Sequence, residues 1–111
     1  MRKPIRRLRP EVREPEYLKT LFYMKDGVLM RDLPRFGRII SVKQGRPRKG
    51  QGGLMLNYVH VETLSLRADH VIVAILEGRW PDDVEHLDGD TLNDHPDNLK
   101  PSFGNRLPVG I

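Results

Sequence analysis

Apolar and polar positions change their spacing several times along the chain, and each change marks an element. Between Leu54 and Leu66, Leu54, Leu56 and Tyr58 alternate with Met55, Asn57 and Val59. This period of two, with its β-branched and aromatic content, predicts one or two strands. From Ala68 to Gly78 the period lengthens: Val71, Ile72, Ile75 and Leu76 recur at three and four. Asp69 is placed to cap the start and Gly78 to end the segment, so a short amphipathic helix is expected over 69–77. Tyr17 to Met24 suits a strand or a short turn of helix. Asp26-Gly27 is a tight-turn pair before Val28-Leu29-Met30 and predicts a hairpin, and Phe36 to Val42 is a further strand candidate. The glycine-dense stretch from Gln44 to Gly53 reads as a flexible loop without the spacing of a nucleotide cradle. After Pro81 the chain turns acidic, with a short strand at Val84-Glu85-His86-Leu87 and a turn at Asp88-Gly89-Asp90. A helix of about two turns is expected from Pro96, because proline is tolerated in a first helical turn.

The whole is expected to be one α+β domain: a small antiparallel β region over 17–67, the helix, and a compact motif over 82–105, preceded by a basic extended arm at 1–16. With 111 residues, one domain is the size expectation. The absence of cysteine excludes disulfides, thiolate-ligated metals and a cysteine nucleophile. No apolar run approaches the roughly 18 residues of a membrane span, so no membrane is expected and a soluble, cytoplasmic protein is the default.

Charge adds a functional direction. The net charge is only +4, but residues 1–50 hold 15 Lys and Arg against 5 Asp and Glu, whereas 51–111 hold 4 against 10. A basic half suits phosphate neutralisation. Its clusters are Arg2, Lys3, Arg6, Arg7 and Arg9, then Arg46, Arg48 and Lys49, which are the candidate contacts to a duplex backbone. The acidic half supplies carboxylates that could hold a metal beside those cations.

The run Val84-Glu85-His86-Leu87-Asp88-Gly89-Asp90-Thr91-Leu92-Asn93-Asp94-His95-Pro96-Asp97-Asn98-Leu99-Lys100 resembles the core of the HNH nucleases, a D-H-x-N/D-G-D turn followed by D-N-R-x-E-N-L. His70, Gly78, Trp80 and Pro81 extend the likeness to the stretch that precedes this core in many phage HNH proteins. The resemblance implies a ββα-metal motif and a metal-dependent DNA endonuclease of nickase or homing type. It makes His86 the general base, its imidazole pKa lying near the operating pH, and Glu85 and Asn98 the ligands of a magnesium or manganese ion. Asp94 and Asn93 support the loop, His70 packs or contacts phosphate, and His95 neighbours a helix start that is able to bind phosphate. Glu85 stands where the family usually has Asp, and Asp94 where it has Asn. These two departures motivate a second expectation, an HNH-scaffold protein that binds DNA or a host protein or nucleoprotein as a regulator or inhibitor without cleaving.

Overall fold

A computed structural model describes residues 14–104 of the chain. The fold is α+β, with two α-helices and three antiparallel sheets among the described residues. No described helix is long and apolar enough to cross a membrane. Helix α1 spans Pro15–Leu21, so the last part of the expected arm is helical, and residues 1–13, with Arg2, Lys3, Arg6, Arg7 and Arg9, lie outside the described residues. Pro15 suits its first turn because the missing N–H would have had no partner there.

Strands β1 (Tyr23–Lys25), β2 (Val28–Arg35) and β3 (Arg38–Lys43) form the first sheet. Lys25 pairs with Val28, so Asp26 and Gly27 are a two-residue turn at φ 52° and 80°, which is the hairpin turn the pair predicts. β4 (Arg46–Lys49), β5 (Met55–Val61) and β6 (Leu64–Arg67) form the second. The expected loop at 44–53 therefore contains a strand, because Arg46 to Lys49 pair with Met55 to Tyr58 and the glycines are left to the turn that follows.

Helix α2 (Ala68–Glu77) ends at Gly78, whose φ of 82° is costly for a residue with a Cβ and whose N–H donates to the Ala74 carbonyl. Its residues differ from an amphipathic pattern. Val71 through Ile75 are all buried, since α1 packs on one side and β5, β6 and the last two strands on others. The core gathers around this helix from Leu18, Phe22, Leu29, Val59, Val61 and Leu66.

The third sheet pairs β7 (Asp83–His86) with β8 (Leu99–Ser102). The helix expected from Pro96 is only a single 3-10 turn over Pro96–Asn98, and Leu99 already pairs with His86. Pro101 explains the difference: the residue before a proline is driven towards extended backbone, and a proline five residues into a helix would break it. In the two-stranded sheet Pro101 opposite Val84 needs no N–H on its outer edge.

Candidate metal centre

Strand alternation decides which residues of β7 reach the interior. Val84 and His86 are buried while Asp83 and Glu85 are exposed on the opposite face. Glu85 sits opposite Lys100 of β8, away from the cluster formed by His86. Asp69, at the start of α2, and Asp94, in the loop between β7 and β8, approach His86 from two other directions. His86 Nε2 is 2.8 Å from Asp94 Oδ1 and 3.7 Å from Asp69 Oδ2. One oxygen of each carboxylate and one nitrogen of His86 lie within 4.8 Å of one another. The side chains are 2% (Asp69), 4% (His86) and 13% (Asp94) exposed, so this is a nearly dry cluster of two carboxylates and an imidazole.

Each carboxylate is fixed from behind. Arg67 donates to both oxygens of Asp69, from Nε at 3.1 Å and from a terminal nitrogen at 2.6 Å, and the His70 N–H donates to Oδ1 at 2.8 Å. Burial opposes the charge of this guanidinium, but its hydrogen bond to Asp69 prevails and raises the Arg67 pKa. Asn57 of β5 donates to Asp94 Oδ2 at 3.0 Å and to the Leu92 carbonyl at 3.1 Å, tying the loop to the second sheet. Arg67 pairs with Asp69, and among the described residues Asp94 has no such guanidinium partner. The N, O, O donor set fits a divalent cation.

The loop itself is closed by Asn98, whose amide is committed to that task. Its Oδ1 accepts from the Asp88 N–H at 3.0 Å, and its Nδ2 donates to Asp88 Oδ1 at 3.0 Å and to the Asn93 carbonyl at 2.9 Å. Asn93 donates to Asp88 Oδ2 at 2.8 Å, and the Asp90 N–H to Asp88 Oδ1 at 2.8 Å. Hydrogen bonds from Asn93 first, then from the Asp90 backbone and Asn98, hold the exposed Asp88 carboxyl below its ordinary pKa. Of the two ligands implied by resemblance, then, Glu85 is on the outer face and Asn98 is a clasp; neither joins the cluster. His95 caps the 3-10 turn by accepting the Asp97 N–H on Nδ1, at 3.1 Å. Its ring is seated against Gly27, where a Cβ would come 2.4 Å from Cδ2, so the β1–β2 turn and the loop meet through a glycine.

Beside the cluster is a cleft of about 450 Å³ whose lining includes Asp94, His95, Asn57 and Gly27 together with Lys43 and Gln44 at the end of β3. Asp94 thus belongs both to the buried cluster and to an open cleft. His70 faces elsewhere, edge-on to Trp80 at 6.4 Å, with a buried Nε2 that has no hydrogen-bond partner and a pKa lowered chiefly by burial. Alternation also divides the second basic cluster: Arg46 and Arg48 share a face with Tyr58, on whose ring the Arg48 guanidinium stacks at 4.1 Å, and Lys49 points to the other.

Asp69 is the site residue that the sequence reading gave only a capping role. The available signal was its place two positions before the unbroken apolar run Val71 to Leu76, where a buried carboxylate needs partners. Comparison with protein-family models, curated proteins and solved structures finds no match for the chain.

Proposed function

We propose that this protein is a metal-dependent DNA endonuclease of HNH type, with Asp69, His86 and Asp94 as its cation-binding centre. The buried carboxylate–imidazole–carboxylate cluster, opening through Asp94 onto a cleft, carries this reading. The likeness of residues 84–100 to the HNH core supplies the reaction class. An imidazole nitrogen among the donors favours manganese over magnesium, which prefers an all-oxygen shell. When bound, the cation supplies Lewis-acid polarisation of the phosphate and a lowered pKa for a coordinated water.

The chain's own residues do the positioning. Arg67 and Asn57 hold the two carboxylates so that neither has to reorganise when charge develops nearby. His86 Nε2 and Asp94 Oδ1 share a hydrogen bond at 2.8 Å; a bound cation would be held by that nitrogen together with an oxygen of each carboxylate, and His86 would then serve as a ligand rather than as the general base. Lys43, on the cleft lining, would supply a cation to a phosphate oxygen. Lys49, on the same face of the second sheet as Asn57, would add a backbone contact with a salt-dependent affinity, whereas Arg46 and Arg48 lie on the opposite face. The one such cluster among the described residues would give one strand break per binding event.

The test is nicking of supercoiled plasmid with manganese. Nicking that a chelator and His86→Ala both abolish supports the nuclease; duplex binding without nicking by the wild type refutes it. A second reading, a binding protein on the same scaffold, is favoured by the depth at which Asp69 and His86 are buried. It predicts duplex or partner binding that manganese and His86→Ala leave unchanged.

A further inference from the structure

The two hairpins of the first sheet have the same turn geometry and different turn residues. Asp26-Gly27 has φ of 52° and 80°, and Phe36-Gly37 has φ of 51° and 80°. Both central residues of such a turn are left-handed, a conformation that asparagine, aspartate and glycine adopt readily and that a bulky aromatic adopts rarely. Asp26 follows that rule and Phe36 breaks it. Packing does not account for the exception, because the Phe36 ring is 96% exposed and contributes nothing to the core.

Its surroundings indicate a ligand. Arg35 and Arg38, the pair that closes the turn, are exposed, and Arg35 donates to the Pro34 carbonyl at 3.0 Å. Between Val28 and Lys43 the hairpin carries Arg31, Arg35, Arg38 and Lys43 against one acid, Asp32. That carboxylate already accepts hydrogen bonds from Tyr23 and Ser41, at 2.6 and 2.8 Å. An exposed ring next to exposed Ile39, at the tip of an arm with a net positive charge, complements stacked bases between phosphates. The base of the same hairpin, at Val28, Leu29 and Lys43, lines the cleft beside Asp94. With a rise of about 3.4 Å per residue over the six residues of β3, the tip stands roughly 20 Å from Lys43. At about 3.4 Å per base pair, that distance is roughly six base pairs along a duplex.

We infer that Phe36 is a wedge that enters between adjacent base pairs of duplex DNA, with Arg35 and Arg38 on the flanking phosphates, roughly six base pairs from the strand held at the cleft. This deepens the nuclease reading and rests on its DNA substrate. The strained turn is then the means of presenting an aromatic ring at the extreme tip of a stiff arm.

The test uses the full chain and a 30-base-pair duplex carrying 2-aminopurine, whose fluorescence rises when it unstacks. The variants are Phe36→Asn, which suits the turn, and Phe36→Leu, which keeps an apolar wedge. Wild type is expected to raise the fluorescence, Phe36→Leu to retain part of the rise, and Phe36→Asn to abolish it. Phe36→Asn should bind at least about tenfold more weakly, in keeping with the loss of one stacking contact. Its melting temperature should be unchanged or higher, which separates loss of the wedge from loss of the fold. Equal affinity and equal fluorescence for wild type and Phe36→Asn overturn the wedge, and they do so without touching the nuclease reading if both proteins still nick plasmid. Wild-type binding to phosphatidylserine vesicles that Phe36→Asn loses, with duplex binding unchanged, overturns it in favour of a lipid surface. A wild type that neither binds the duplex nor nicks overturns both readings together.

Discussion

Asp94 holds a contact that stabilises the metal-free protein and a charge that destabilises it, and two substitutions separate these effects. Asp94→Ala removes the acceptor 2.8 Å from His86 Nε2 and the acceptor of Asn57. The imidazole is 4% exposed and would be left with only Asp69 at 3.7 Å. Losing a bond to a charged acceptor in such a place costs about 2 kcal/mol. For a chain of this size that is a fall of roughly 8–16 °C in Tm. Asp94→Asn keeps an oxygen for His86 and removes a negative charge that lies within 4.8 Å of Asp69. At an effective dielectric of about 20, the repulsion relieved is on the order of 3 kcal/mol before Arg67 offsets it. Relief and lost charge assistance nearly cancel, so Asp94→Asn should melt within a few degrees of wild type in chelator. Manganese at about 100 times its Kd stabilises a competent site by about 2.7 kcal/mol. Wild type should therefore gain more than about 10 °C on adding manganese, and Asp94→Asn should gain almost nothing. Thermal melts read by circular dichroism, with and without metal, provide the comparison. A wild type indifferent to manganese, or an Asp94→Asn protein that keeps the full shift, would refute the reasoning.

Asn98 should behave as a clasp and not as a ligand. Asn98→Ala is expected to lower Tm and speed amide exchange across 87–98 with little change in manganese affinity; Asn98→Asp, which sets a carboxylate against Asp88 Oδ1 and the Asn93 carbonyl, should be worse, and lost manganese binding with an unchanged Tm would contradict the assignment. His70 gives a pH dependence. Burial holds its folded pKa below the ordinary 6.5, so the unfolded chain binds the proton first, and stability present above pH 6.5 is lost progressively as pH falls towards the folded value. In chelator, Tm should drop between pH 7.5 and 5.5 in wild type and drop less in His70→Gln; equal slopes would remove His70 as the cause.

The parts of the fold written in local chemistry were legible. Asp26-Gly27 marks its hairpin, the alternation from Leu54 to Leu66 becomes β5 and β6, and Gly78 ends α2. What local spacing misled on was settled by distant partners. Arg46 to Lys49 read as a loop until β5 supplies their hydrogen bonds, and Pro96 read as a helix start until Pro101 and β7 draw the chain into β8. The 3.6-residue stripe in α2 suggested one buried face, whereas sheets and α1 surround it. His86 stood out because it ends a strand inside a recognisable spacing. Asp69 did not, since a carboxylate two residues into a helix has a sufficient local explanation, and only the tertiary fold brings it to His86 across 17 positions of sequence.

The central claim is that Asp69, His86 and Asp94, and not Glu85 and Asn98, hold the cation. Crystals grown with manganese and measured for its anomalous scattering test this directly. One peak is predicted among the three side chains, about 2.0–2.3 Å from His86 Nε2 and from an oxygen of each carboxylate. A peak between Glu85 and Asn98, or no peak at a manganese concentration that supports nicking, would contradict the account.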